Sequence, residues 1–196
     1  MTVRRSVTRA YLDPSPRRAL NPRAGLAVAA AGALLVLSEI VERASGGFTR
    51  PSYAVTIAAF TAIGLTAWII DHSQRPPAGR GSLIGAALLS AGALLEALAD
   101  VIGFGEPTEA ALQVATGPLV PIAGVLLVTG AVLLGISGLR ARVHPRWAAV
   151  VIAVMPLFLP ATMLGLPIAA VSITNMILGI GIAGTGLSLF RRQAGA

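Results

Sequence analysis

The stretch GLAVAAAGALLVLSEIVE, residues 25–42, decides the fold. Its first charged side chain is Glu39, well past the middle. At about 1.5 Å per residue, an apolar run of this length covers a hydrocarbon core about 30 Å thick once it is helical. In lipid no water satisfies the backbone, so its polar groups must pair within the segment, which selects a helix.

Runs of the same quality recur along the chain. With the first at 24–42, they cover 53–71, 82–103, 112–139, 147–165 and 167–190. None alternates apolar and polar residues as a lipid-facing barrel strand does. Composition agrees: the 196 residues are 55% hydrophobic and 12% charged, against about 25% charged in a soluble domain. The sequence therefore predicts an all-α integral membrane protein. Its six-span transmembrane helical bundle occupies 24–192, behind a basic, flexible tail over 1–23. The tail's Arg4-Arg5 is a poor match to a twin-arginine export signal, because the apolar stretch starts about twenty residues later and no small-residue cleavage site follows. The first span reads as a retained anchor.

Breakers punctuate the spans. Gly46, Gly47 and Pro51 separate the first two, Pro76 and Pro77 the next. Pro118 and Pro121 open the fourth helix, where a missing amide donor costs least. Pro156 and Pro160 lie inside the fifth span and predict a bend around Met155 to Pro160. AGALL occurs at 31–35 and again at 91–95. That leaves open a plan of three helical hairpins, although a five-residue match is weak in a chain so rich in Ala, Gly and Leu. Small residues four apart, Gly25-Ala29-Ala33, Gly81-Gly85 and Gly184-Ser188, predict close helix packing.

All fifteen basic residues are Arg, and they are unevenly placed. With the N-terminus inside, thirteen fall on the inner side and only Arg43 and Arg50 on the outer. The positive-inside rule then predicts a multi-pass protein of the cell membrane with both termini cytoplasmic. The net charge of +7 reads as topology signals and contacts to anionic lipid headgroups, not as a nucleic-acid surface. Trp68 and Trp147 fall near the inner boundary and Tyr53 near the outer, as interfacial anchors.

Enzyme signatures are absent: no H-E-x-x-H, G-x-S-x-G, P-loop or dinucleotide fingerprint occurs. Without Cys or Lys there is no thiol nucleophile and no Schiff base. His72 and His144 both fall at the inner face and read as interfacial histidines. No cofactor is implied, and the metal question stays open: carboxylates could hold a hard cation such as Ca²⁺, but no loop signature supports it.

The chemistry that remains is acidic. Glu39 and Glu42 come late in the first span, Glu96 and Asp100 late in the third, at similar depth. The sixth span descends past them with Ser172, Thr174 and Asn175, and Gln113 and Thr116 start the fourth at that level. A carboxylate at a helix centre costs roughly 2.5–3.5 kcal/mol by insertion scales, less toward the interface. Three explanations fit. The acids line a water-filled cavity, they are paired or neutral within the bundle, or the helices end early and release them to the headgroups. Glu39 and Arg43 have the spacing of a helix-surface ion pair, whereas Glu96 has no Arg or His within four residues. If the first and third helices pack side by side, Glu39 and Glu96 meet.

Two functions follow. One is a non-enzymatic protein with an outer-leaflet acidic cavity for a small cation, proton or cationic ligand, as in a small transporter. Its candidate binding residues are Glu39, Glu96, Asp100, Glu42 and Asn175. The other is a structural or accessory subunit that docks its small-residue faces on a membrane-protein partner or on a second copy of itself. Only the carboxylates speak for an enzyme acting on lipid, and the six-span plan does not deliver a function.

Overall fold

A computed structural model describes residues 22–47, 49–75, 78–104, 115–154, 156 and 168–194. Among them every regular element is a helix: α1 Pro22–Ala44, α2 Arg50–Gln74, α3 Gly79–Gly103, α4 Leu119–Ala141, α5 Arg146–Val154 and α6 Ile168–Ala194. Among the described residues, five stretches are long and apolar enough to cross a membrane: Arg23–Ala44, Arg50–Gln74, Gly79–Gly103, Leu119–Ala141 and Ser172–Ala194. The chain is an integral membrane protein of the helical-bundle class.

The exception is the expected fifth span. The described α-helix extends to Val154, Met155 lies outside the described residues, and at Pro156 the backbone is in a 3₁₀ turn. Pro156 has no amide donor, and its ring crowds the carbonyl one turn back. The rest of the expected bend, Pro160 included, lies outside the described residues, as do the basic tail to residue 21, the 105–114 link and Gln113.

In the fourth span Ala115 and Thr116 are helical, Gly117 then turns left-handed at φ 49°, and α4 begins at Leu119 after Pro118 at its N-cap position. At the opposite end of the bundle from Arg142, α2 starts on a reciprocal cap. Ser52 N donates to Thr49 Oγ1 at 3.4 Å, and Thr49 N donates to Ser52 Oγ at 2.7 Å. Pro51 sits beside that cap in the first turn, where no amide is needed.

Each helix packs on its neighbours in sequence, and α6 closes back on α1. The result is a ring of six antiparallel neighbours. It is not three separate hairpins, because the closest pairs are α3 with α4 and α1 with α6. Those two pairs use one motif twice. A Cβ on Gly186 would sit 2.6 Å from Gly25 O and 2.8 Å from Ala29 Cα. A Cβ on Gly130 would sit 2.8 Å from Gly85 O and 2.6 Å from Leu89 Cα. Gly25 and Gly85 are sixty residues apart, as are Ala29 and Leu89 and the two AGALL stretches. The weak repeat thus marks equivalent helix contacts. Backbone-to-backbone approach is how helices associate in lipid, which provides no hydrophobic drive. The expected rows need adjusting: the α1 row runs Gly25, Ala29, Gly32, while Ala33 is exposed. Gly184 accommodates the Trp147 ring instead of a neighbouring backbone.

The ring gathers most arginines at one end: Arg23 at the start of α1, Arg75 and Arg80 around the α2–α3 link, Arg140, Arg142 and Arg146 around the α4–α5 link, and Arg191 and Arg192 late in α6. Arg43 and Arg50 occupy the other end. Trp68 and Trp147 are exposed on the bundle surface, at 45% and 52%. Tyr53 is not an exposed anchor. It is buried and packs edge-on against Phe104, with ring centroids 6.4 Å apart.

His144 also departs from expectation. His72 is exposed, but His144 is only 6% exposed, in the α4–α5 link. Ser73 Oγ donates to Ile70 O at 2.6 Å. Its remaining capacity is to accept, so the 3.1 Å contact is His144 Nε2–H donating to Ser73 Oγ. The lone pair then stays on His144 Nδ1, a buried atom with no hydrogen-bond partner.

Candidate functional site

A cavity of about 380 Å³ lies inside the ring, and each of the six helices contributes to its wall. Ring closure creates it. Small residues bring the backbones of α1 and α6, and of α3 and α4, so close that the widest side chains are left to the interior and the lipid face. The wall is mostly aliphatic, with Leu35, Ile63, Leu127 and Leu178 among its members, and Phe60 adds an aromatic ring. Three lining side chains are polar: Glu96 from α3, Thr129 from α4 and Asn175 from α6. Glu96 is the one ionisable group lining it among the described residues.

The five candidate residues separate into two groups. Glu96 and Asn175 line the cavity together. Glu39, Glu42 and Asp100 do not line it. Glu39 is buried, at 7% exposure, and accepts a 2.7 Å hydrogen bond from Asn175 Nδ2. A carboxylate oxygen facing that amide accepts, so the bond fixes which way the amide points and leaves Asn175 Oδ1 as the acceptor on the other side. Glu39 is thus a positioning residue for Asn175. Glu42 and Asp100 stand in the last turns of α1 and α3, near enough for their charges to interact. Asp100 Oδ2 is buried without a partner.

Two expectations about these acids are corrected. The first and third helices do not pack side by side, because α2 separates them. Glu39 and Glu96 do share a depth, each seventeen residues from the first residue of its helix, but Asn175 mediates between Glu39 and the cavity. Both Glu39 and Arg43 reach α6, Arg43 Nε donating to Ser172 Oγ at 2.9 Å. The register is antiparallel, with Glu39 opposite Asn175 and Arg43 opposite Ser172. The helices do not end early either, since α1 runs to Ala44 and α3 to Gly103.

No described residue donates a hydrogen bond to Glu96 or forms an ion pair with it. Among the described residues, the carboxylate thus stands at the wall of an apolar cavity without a counter-charge. Among the described residues no group of three His, Asp or Glu could hold a metal ion. An ion pair lies elsewhere, Arg75 Nη2 to Asp71 Oδ2 at 2.6 Å, at the arginine-rich end.

Comparison with family models, curated proteins and solved structures found no match to this chain.

Sequence reading missed Phe60, Gly124 and Thr129 as cavity residues. Phe60 and Thr129 sit in apolar helices whose inward face depends on which neighbour each packs against. Gly124 carries a partial signal. It is a glycine of α4 with no close partner, since a Cβ there meets nothing within 4 Å. Most other helix-interior glycines of the bundle face a neighbour.

Proposed function

We propose that the chain is a non-enzymatic integral membrane protein that binds a small cation, a proton or a cationic ligand in the central cavity. The observation that carries this reading is Glu96, an acid lining an apolar cavity without an internal cation. An isolated carboxylate in such a place is expensive unless something neutralises it. A bound cation or a proton does so, and the two compete for one site. That competition is the elementary step of a proton-coupled transporter: Glu96 gives up its proton when the cation arrives and recovers one when it leaves. Glu39 holds the Asn175 amide so that its oxygen is available to the same occupant.

Thermal unfolding of the purified chain, with and without candidate cations between about pH 5 and 8, tests the reading. Wild type is expected to be stabilised by at least one cation, more strongly at the alkaline end, where protons compete less. Glu96→Gln keeps the shape, removes the charge and is expected to abolish the response. Identical responses of the two proteins would overturn the reading.

The accessory-subunit alternative relies on small-residue faces free for docking. In the ring, Gly25, Gly32, Gly85, Gly92, Gly130 and Gly186 all meet neighbouring helices of the same chain. Affinity purification in mild detergent is therefore expected to yield the chain without a stoichiometric partner, and a stoichiometric membrane protein would favour the subunit.

The arginine-rich end faces the cytoplasm in this reading, in contact with anionic headgroups, and both termini lie there. Reporter fusions at residue 196 and within 104–110 are expected to report opposite sides. An extracytoplasmic signal at residue 196 would reverse the assignment and place the Glu96 end inside.

A further inference from the structure

The geometry points to an amphiphilic organic monocation, an ammonium carrying an aromatic or branched alkyl group, as the occupant of the cavity. This inference rests on the cation-binding reading above and narrows it.

Three observations select that class. The first is the donor inventory. A calcium ion takes six to eight oxygens. The described lining offers the Glu96 carboxylate, the Thr129 hydroxyl and the Asn175 amide, and the rest is Leu, Ile, Val, Phe, Pro, Ala and Gly. Helical carbonyls there are largely engaged in their own ladders. A bare metal ion would lose its hydration and recover little of it. An organic ammonium sheds less hydration and gains from contact with the apolar wall.

The second is size. About 380 Å³ falls in the range of small-molecule sites, roughly 300–1,000 Å³, which are typically apolar with a few placed polar groups. It far exceeds what a bare ion needs. Phe60 supplies an aromatic group of the kind that attracts a cation when its face is presented.

The third is the mouth. Pro121, Val125 and Thr129 line the cavity and are also exposed. They follow at four-residue spacing on one side of α4 and so form a stripe, with Val125 65% exposed. The cavity thus opens sideways along α4, on a surface that faces the apolar phase of a membrane. Gly124 stands beside this stripe with empty space where its side chain would be. A ligand that partitions into the bilayer can enter there, with its charge directed to Glu96 and its apolar part against the aliphatic wall.

The test uses two probes that differ only in charge. Benzyltrimethylammonium and neopentylbenzene have the same shape, a quaternary nitrogen in one being a quaternary carbon in the other. Binding is read as the saturable rise in unfolding temperature of the full chain in non-ionic detergent, beside sodium and calcium. Benzyltrimethylammonium is expected to stabilise wild type. Glu96→Gln is expected to weaken it by roughly tenfold or more, since the lost counter-charge acts in a medium of low dielectric. Gly124→Phe fills the cavity and is expected to abolish binding. Should Gly124→Phe fail to fold, Glu96→Gln decides alone. If sodium or calcium stabilises wild type through Glu96 while benzyltrimethylammonium does not, the ligand class is wrong and the cation-binding reading stands. If neopentylbenzene stabilises as well as its charged twin and Glu96→Gln changes nothing, the cavity recognises shape alone and both fail. If no probe shifts the transition, both fail as well.

Discussion

Gly186→Leu is expected to unfold the bundle at a far lower temperature than wild type, while Gly124→Leu is not. Both changes add the same side chain to a helix-interior glycine. At Gly186 the new Cβ would lie against the backbone of α1, 2.6 Å from Gly25 O. Backbone cannot rotate away as a side chain can, so α1 and α6 must separate. Overpacking of this kind costs about 1–3 kcal/mol, and more when backbone must shift. Separation also strains the polar contacts higher in the same pair, Asn175 with Glu39 and Arg43 with Ser172. At about 2–4 °C per kcal/mol for a chain of this size, a drop on the order of 10 °C follows. Gly130→Leu should match it, because Gly130 meets α3 in the equivalent way. At Gly124 the added Cβ meets nothing within 4 Å. Removing a glycine from a helix interior stabilises by roughly 0.5–1 kcal/mol. Unfolding followed by circular dichroism in one detergent compares the three variants. Equal losses at Gly124 and Gly186 would show that the close contacts do not hold the ring.

The second large effect is on acid stability. Burial holds the His144 imidazole at a pKa of about 4, and the positive charge of Arg192 adds to the effect. The unfolded imidazole titrates near 6.5. Between those values the unfolded chain takes up a proton that the folded chain refuses, so stability falls as pH drops from about 6.5 to about 4 and levels off below. Above 6.5 the full contribution is present. The shift corresponds to on the order of 3 kcal/mol. The local geometry explains the refusal, since a second ring proton would sit on Nδ1, which has no acceptor. Gln at position 144 can still donate to Ser73 but does not titrate. His144→Gln is therefore expected to remove this part of the acid limb, leaving the carboxylate contributions common to both proteins. Chemical denaturation at a series of pH values measures the difference between the two curves. Curves that fall in parallel from pH 7 to 4 would sink the assignment.

The class of this protein was legible in its residues because it depends on local quantities. Run length against bilayer thickness and the need to satisfy every backbone amide identify α1, α2, α3, α4 and α6 without reference to any partner. The shared depth of Glu39 and Glu96 was legible for the same reason, since depth is only residue count times rise. Pro118 was legible as the opening of the fourth helix, and α4 starts beside it at Leu119.

What tertiary structure alone decided is adjacency. A helix that is apolar all round gives no moment to say which face meets which neighbour, and in lipid every face is tolerable. The closure of α6 on α1, the placing of α2 between α1 and α3, and the direction of Glu39 toward Asn175 follow from where glycines allow backbones to touch. Five polar residues at one level therefore read as one cluster in the sequence. In the folded ring, Glu96 and Asn175 face the cavity, Glu39 orients Asn175, and Glu42 and Asp100 stay outside it.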